Sequence, residues 1–224
     1  MVLKECKMGA YKDIIQNAIG RAELILDLGC GSGKFEPLNE VNTEGKTIIG
    51  IDIDLDELKQ NPFLRAAVVG NVEHLPFRDS AFDLIMTRSV LEHIEEPDSL
   101  FSEISRVMKP SGEIVIQTFN KWHPLNFISF ALSERTRAKL KKLFTYESKL
   151  EGNYETYYRC NTKRALTNFL SRNGFSIKNF YFEDIGLRWV RSPIIKYLLR
   201  LFQVITNIRF LRGAKHIITC WAKR

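Results

Sequence analysis

Five apolar runs in the first 120 residues restrict this chain more than any other feature. They are LILDL (24–28), TIIGI (47–51), AAVVG (66–70), FDLIMT (82–87) and EIVIQTF (113–119). Their length and β-branched content read as strands, and their continuity reads as strands covered on both faces. A strand with one wet face would alternate polar with apolar residues instead. Helical patterns fall between the runs. In 98–108, Leu100, Phe101, Ile104, Val107 and Met108 form one apolar stripe behind Pro97, and the KPSG that follows reads as a stop. Strand and helix in alternation predict a mostly parallel sheet with helices on both sides. The second half is less regular. It holds a basic stretch, SERTRAKLKKLF, inside 121–150, and a helix over 163–172 stopped by Asn173-Gly174. A strand near 175–182, an apolar and basic helix over 193–211 and a last strand, HIITCWA, at 216–222 complete the chain.

Directly after the first run comes a loop with glycine at alternate positions, Gly29, Gly31 and Gly33 in LDLGCGSGKF, leading into a helix expected near Lys34. Glycines so close together lose much backbone freedom on folding, so something must need a bare backbone there. A dinucleotide fingerprint G-x-G-x-x-G fails, because Lys34 or Glu36 stands at its third glycine. A phosphate-binding P-loop fails at Leu28 and Phe35. What remains is D-x-G-x-G-x-G, at the carboxyl end of a strand, where open α/β sheets bind ligands. Asp52 in GIDID lies 25 residues after Asp27, about one strand–helix–strand half-unit further on. DIDLDE is not a calcium loop, since Glu57 and Phe63 occupy the required glycine and glutamate positions. Asp54 and Asp56 read as a helix N-cap and a first-turn charge.

LDLGCGSGKF resembles the first motif of class I S-adenosylmethionine-dependent methyltransferases. The resemblance continues through GNVEHLPFRDSAFDLIMTRSVLEHIEEPDSLFSEISRVMKPSGEIVIQT, residues 70–118, which is similar to the type 11 branch that includes quinone-biosynthesis methyltransferases. It covers roughly residues 22–120 and implies one Rossmann-like domain over 1–224. The implied sheet has seven strands, mostly parallel with an antiparallel last strand, and substrate-side insertions fall at about 121–162 and 185–214. The implied cofactor is S-adenosyl-L-methionine. Gly29, Gly31 and Gly33 would curl under its amino-acid end, Asp27 would help hold its ammonium, and Asp52 would take the ribose hydroxyls through paired charge-assisted hydrogen bonds. Ile53, Asn71, Val72 and Arg88 complete the implied cofactor set. Asn71 and Val72 replace the acid and alanine usual in this branch, and the Asn71 amide is the candidate contact to the adenine amino edge.

Methyl transfer from a sulfonium needs alignment and exclusion of water, and a base only if the acceptor must lose a proton. His93, in TRSVLEHI, resembles in position a catalytic histidine of phosphoethanolamine methyltransferases, and it titrates in the right range; the alternative is an orienting or structural role. His123, in NKWHP, is a second candidate that would face the acceptor, while His74 is assigned to the loop before Pro76. Thr87, Arg88 and Ser89 stand where metal-dependent relatives carry acids, so no metal is expected. Tyr154, Tyr157, Tyr158 and Arg159 in NYETYYRCNT pair aromatics with a cation, as a sugar or phosphate headgroup would require, or else pack on the core. The phrase also resembles a stretch of methyltransferases from surface-polysaccharide and glycolipid pathways. From that set the strongest substrate candidates are Tyr157, Tyr158 and Arg159.

Charge is unevenly placed. Residues 185–224 carry nine basic and no acidic residues, in a chain of net charge +7. That end attracts an anionic surface. The segment 193–212 reads either as a helix lying on a membrane with basic residues at the headgroups, or as a core-covering or dimer-forming helix. Its uncharged run is too short to span a bilayer. The four cysteines form no C-x-x-C pair, and MVLKECKMGAYKDIIQ places charges where a signal peptide would be apolar. A reduced, cytoplasmic protein is expected, with peripheral contact at the inner membrane surface as its other location. The expected activity is metal-independent methylation, at oxygen, of a small-molecule or lipid-linked acceptor. The alternatives are an RNA methyltransferase, disfavoured because no N/D-P-P-Y phrase and no RNA-binding module is present, and a non-catalytic cofactor-binding scaffold.

Overall fold

The structure is a computed structural model that describes residues 10–34, 37–123, 154–184, 192–208 and 211–224. Seven strands form one sheet: β1 (Leu24–Leu28), β2 (Thr47–Asp52), β3 (Ala66–Val69), β4 (Phe82–Arg88), β5 (Met108–Phe119), β6 (Ser176–Glu183) and β7 (Ile217–Lys223). Their order is β3-β2-β1-β4-β5-β7-β6. Strands β1 to β5 pair in parallel, and β7 runs antiparallel to both β5 and β6. The seven-stranded, mostly parallel sheet expected from the sequence is the one observed. Chain reversal occurs beside β1, where β2 and β4 flank it on opposite sides, and the glycine loop leaves the sheet at that switch point.

Side-chain alternation along the strands feeds two cores. Ile25, Leu84, Met86 and Val115 point to one face, under helix α1 (Ala10–Arg21) and its Ile15, Ala18 and Ile19. Leu26, Leu28, Ile85, Ile114 and Ile116 point to the other, with Phe101 and Ile104 of α3 (Pro97–Val107) and Leu166 and Leu170 of α4 (Lys163–Arg172). Each such side chain taken from water contributes roughly 1.5–3 kcal/mol. The Thr162 hydroxyl caps α4 by accepting from the Ala165 N–H at 3.1 Å. Between β2 and β3 lies α2 (Leu55–Leu58), whose N-cap is Asp54, as read from the sequence. The last helix, α5 (Pro193–Thr206), stands between β6 and β7.

The structure corrects four expectations. AAVVG is not covered on both faces: β3 is the edge strand and most of its side chains are exposed. An apolar edge strand reads like a central one, because the run does not reveal how many neighbours it has. Helix α3 ends at Val107, just before KPSG, as read from the sequence, but the strand expected at 113–119 starts five residues earlier. Strand β5 begins at Met108 directly after α3, and Lys109–Gly112 form an irregularity, with Ser111 at φ +69°, between the pairs Phe82–Met108 and Leu84–Glu113. Proline and glycine are tolerated in strands at such bulges. No helix starts at Lys34 among the described residues; a single 3₁₀ turn spans Pro37–Glu40. The helix expected over 193–211 stops at Thr206, capped at Asn207. The SERTRAKLKKLF stretch lies outside the described residues. Cys30, Cys160 and Cys220 are buried thiols.

Candidate functional site

Gly29, Gly31 and Gly33 all have positive φ, at +66°, +45° and +70°. This backbone is strained for any residue with a Cβ. The three differ in what surrounds them. A Cβ on Gly29 would stand 2.3 Å from Val90 Cγ2, and one on Gly33 would stand 2.7 Å from Asn61 Oδ1. At Gly31 the nearest atoms are Asp52 Oδ2 and Glu57 Oε2, both at 4.0 Å, so its surface opens into space between two carboxylates. Gly29 and Gly33 are therefore bare so that the loop can pack, and Gly31 so that something else can approach.

The loop is clamped to the end of β2. The Gly29 N–H donates to the Ile51 carbonyl at 2.8 Å, and the Gly31 N–H donates to Asp52 Oδ2 at 2.8 Å. Asp52 Oδ1 accepts from the Asp54 N–H at 3.0 Å. Both carboxylate oxygens are thus held in place, and each keeps a lone pair for a ligand. Asn61 completes the clamp by donating to the carbonyls of Cys30 and Gly31, at 3.2 and 3.0 Å. Sequence reading passed over Asn61, which has no motif and reaches back 30 residues. Asp27, at the end of β1, is buried beneath the loop. Ile53 follows Asp52 and is 59% exposed at the rim of this space, while Val72 is buried beside the end of β3. The Asn71 side chain turns on itself: Oδ1 accepts from the Glu73 N–H at 2.9 Å. Arg88 lies with its guanidinium 5.8 Å from the Tyr11 ring centroid, on the α1 side of the sheet.

His93 sits in a 3₁₀ turn after β4. Its Nδ1 is 2.6 Å from the Glu155 carbonyl. A carbonyl only accepts, so Nδ1 carries the proton and Nε2 is the basic nitrogen. The segment that holds His93 is tied down tightly. The amides of Tyr157 and Tyr158 both donate to the Glu92 carbonyl, at 2.7 and 3.2 Å. Behind them the Asn161 amide nitrogen donates to the Leu91 carbonyl at 3.1 Å, and its oxygen accepts from the Glu92 N–H at 3.1 Å and from the Thr118 hydroxyl. The Glu92 carboxyl is 2.9 Å from that hydroxyl.

The same segment brings Tyr154 between Asp54 and His93. Its ring meets His93 edge-on at 5.7 Å, and its hydroxyl reaches Asp54 Oδ2 at 3.4 Å. Burial, with Asp54 and Asp52 close by, pushes the phenol above its ordinary range. Tyr154 therefore links the Asp52 side to the His93 side, a connection across 100 residues of chain. Two other residues of the phrase engage each other. The Arg159 guanidinium lies 5.3 Å from the Tyr157 ring centroid and donates to the Glu95 carbonyl, with the Glu95 and Glu96 carboxylates at 3.9 and 3.7 Å. A hydrogen bond to Glu155 is the main reason the Tyr157 phenol is pushed up to about 12. Tyr158, the third residue of the candidate substrate set, is 8% exposed, at φ +50°.

His123, the second candidate base, is 3% exposed, with Nδ1 3.0 Å from Nδ1 of His216 and its ring against Phe202 of α5. One imidazole donates and the other accepts, which requires the accepting ring to be neutral, and burial favours the neutral form of both. Burial lowers His123 to about 4, opposed by Asp184, and lowers His216 to about 3, reinforced by His123. A ring enclosed in this way braces α5 against the ends of β5 and β7. Among the described residues no group of three His, Cys, Asp or Glu side chains is arranged to hold a metal ion.

Residues 26–116 match the family model described as a methyltransferase domain, of the type 11 class. An uncharacterised protein of Methanocaldococcus jannaschii is 38% identical over 98 residues, 44% of this chain and 41% of the relative. The ubiquinone/menaquinone biosynthesis C-methyltransferase UbiE of Haemophilus ducreyi is 28% identical over 130 residues, 51% of this chain and 50% of the relative. The chain thus spans half or less of the length of these two relatives. Among solved structures, a SAM-dependent methyltransferase of Methanosarcina mazei superposes with a TM-score of 0.61 at 20% identity, covering 94% of this chain and 96% of that one.

Proposed function

We propose, on the premise that residues 26–116 form a class I S-adenosylmethionine-dependent methyltransferase domain of the type 11 branch, that this chain transfers a methyl group from S-adenosyl-L-methionine to an oxygen of a small-molecule or lipid-linked acceptor. The observation that carries the reading is the open face of Gly31 between Asp52 and Glu57, in a loop where three successive glycines hold positive φ. A cradle of bare backbone beside a braced carboxylate fits a ligand that has an amino-acid end and a ribose. When bound, that ligand supplies an electrophilic methyl on a cationic sulfur.

The chain's own residues then have separate tasks. Asp52 accepts from the ribose hydroxyls with the lone pairs that Gly31 and Asp54 leave. Asp27, buried behind the loop, would help hold the ammonium. Ile53 and Val72 offer apolar contact to the adenine, with Asn71 at its edge. Arg88 enters this set only through its backbone, since its side chain turns to Tyr11. His93 Nε2 takes the proton of the acceptor hydroxyl as the oxygen attacks, a role supported by the tautomer that the Glu155 carbonyl imposes. Tyr154 narrows the opening between cofactor and acceptor and so excludes water. Tyr157 and Arg159 form the outer wall, where a headgroup would meet a cation and a ring.

The test is incubation with methyl-labelled cofactor and host extract, followed by separation of lipid, RNA, protein and polar small-molecule fractions. Label in the lipid or polar small-molecule fraction supports the reading. Label in RNA replaces it with the RNA methyltransferase, and cofactor binding without any transfer replaces it with the scaffold. A calorimetric control with Asp52→Asn separates site from fold: the variant folds but binds S-adenosylmethionine at least about tenfold more weakly, one lost charge-assisted hydrogen bond.

A further inference from the structure

Helix α5 carries three longitudinal seams. Ile195, Leu199, Phe202 and Thr206 face the domain, with Leu199 and Thr206 buried and Phe202 against His123. Next to them around the helix run Lys196, Arg200, Gln203 and Asn207, the polar seam. At 100° per residue, the rest of the circumference belongs to Ile194, Tyr197, Leu198, Leu201, Val204 and Ile205, an unbroken arc of about 120°. All six are exposed, Ile194 at 72% and Val204 at 68%, and Ile208 extends the arc just past the helix end. An apolar face this continuous is far beyond the scattered exposed leucines of an ordinary surface.

We propose that this arc is a docking surface for an anionic lipid leaflet. Length decides how the helix would meet it. Fourteen residues span about 21 Å, short of the roughly 30 Å hydrocarbon core, and no described helix is long and apolar enough to cross a membrane. The helix therefore lies flat, its arc in the acyl boundary. Charge identifies the leaflet. Lys196 and Arg200 border the arc, and the last 40 residues contain no acidic side chain to answer them. Anionic headgroups neutralise that seam. A second copy of the chain, packed arc to arc, would bring the same uncompensated basic edge against itself. Docking does not depend on the methyl-transfer reading; its consequence, that the acceptor is presented at the leaflet, does.

The experiment is flotation of the full chain, without cofactor, on phosphatidylcholine vesicles with and without phosphatidylglycerol. The chain is expected to float with the anionic vesicles, to stay behind with the neutral ones, and to release in high salt. Lys196→Gln with Arg200→Gln weakens binding roughly thirty-fold. Leu201→Glu with Val204→Glu abolishes it, with the thermal midpoint retained because both side chains are exposed. Should that pair fail to fold, Tyr197→Ser with Ile194→Ser at the first turn gives the same readout. Failure to float, equal flotation on both vesicles, or undiminished flotation of the arc variants overturns the proposal. So does a dimer that the arc variants dissociate while vesicles retain nothing, or retention by RNA in place of vesicles. Methyl transfer to a polar acceptor with intact flotation would overturn only the consequence for the substrate.

Discussion

Gly29→Ala and Gly31→Ala test the site more sharply than removal of a charged residue, because the two positions share a strained backbone and differ in what lies above it. At either position an L-residue with φ near +45° to +66° costs about 1–2 kcal/mol. At Gly31 nothing is added to that figure, since the new methyl lies 4.0 Å from its nearest neighbours. At Gly29 the methyl meets Val90 Cγ2 at 2.3 Å, and a β-branched side chain against the core yields only by overpacking, a further 1–3 kcal/mol. Urea unfolding should therefore rank stability as wild type, then Gly31→Ala, then Gly29→Ala, with Val90→Ala returning most of the excess to the Gly29→Ala chain. Cofactor affinity should not follow that ranking. Gly31→Ala fills the space between Asp52 and Glu57 and should bind S-adenosylmethionine at least about tenfold more weakly by calorimetry, a loss of ~1.4 kcal/mol. A Gly31→Ala protein that loses the expected stability yet binds the cofactor like wild type would refute the reasoning. The open face would then not be the cofactor's, and the ribose role of Asp52 would fall with it.

His93→Asn should lower turnover by about 10²–10⁴ and leave cofactor affinity within a factor of two, with the low-pH limb of the kcat profile removed; full activity returns His93 to a structural role. The buried pair His123 and His216 makes stability depend on pH in a known direction. Both are depressed below the ordinary value of about 6.5, so the unfolded chain takes up protons that the folded one refuses. Their contribution is complete above about pH 6.5 and declines as the pH falls towards the folded value of about 4 for His123. Between pH 7 and 5.5 the loss is about 1 kcal/mol for each ring, about 2 for the pair. Asp184 and Lys215, themselves paired at 3.0 Å, are charged groups nearby. A His123→Gln, His216→Gln chain should therefore show a flatter profile by that amount in urea midpoints; a profile parallel to wild type excludes the pair as its source.

What could be read from the sequence, and what could not, divides along the range of the interaction. Strand β1, the glycine loop and Asp52 were legible because each depends on residues close in sequence or one strand–helix–strand unit away, a distance that the fold itself fixes. The edge position of β3 was not, because AAVV is as apolar as a central strand and only the neighbour count distinguishes them. His123 is the instructive case. An imidazole after the fifth strand reads the same whether it faces an acceptor or a core, and the deciding partner, His216, is 93 residues away. Asn61 escaped for the same reason, clamping Gly31 across 30 residues, and Tyr154, though named within its phrase, gave no sign that it meets Asp54 across 100, since no spacing rule announces either contact. Cofactor chemistry is thus written in local pattern, since every acceptor uses the same methyl donor and the loop that holds it is short. On the reading proposed above, acceptor chemistry would fall to Tyr154, Tyr157, Arg159 and α5, segments that return to the sheet from beyond the common core. A protein that varies its acceptor while keeping its cofactor has to vary those returning segments, and they are the parts in which sequence reading alone was weakest.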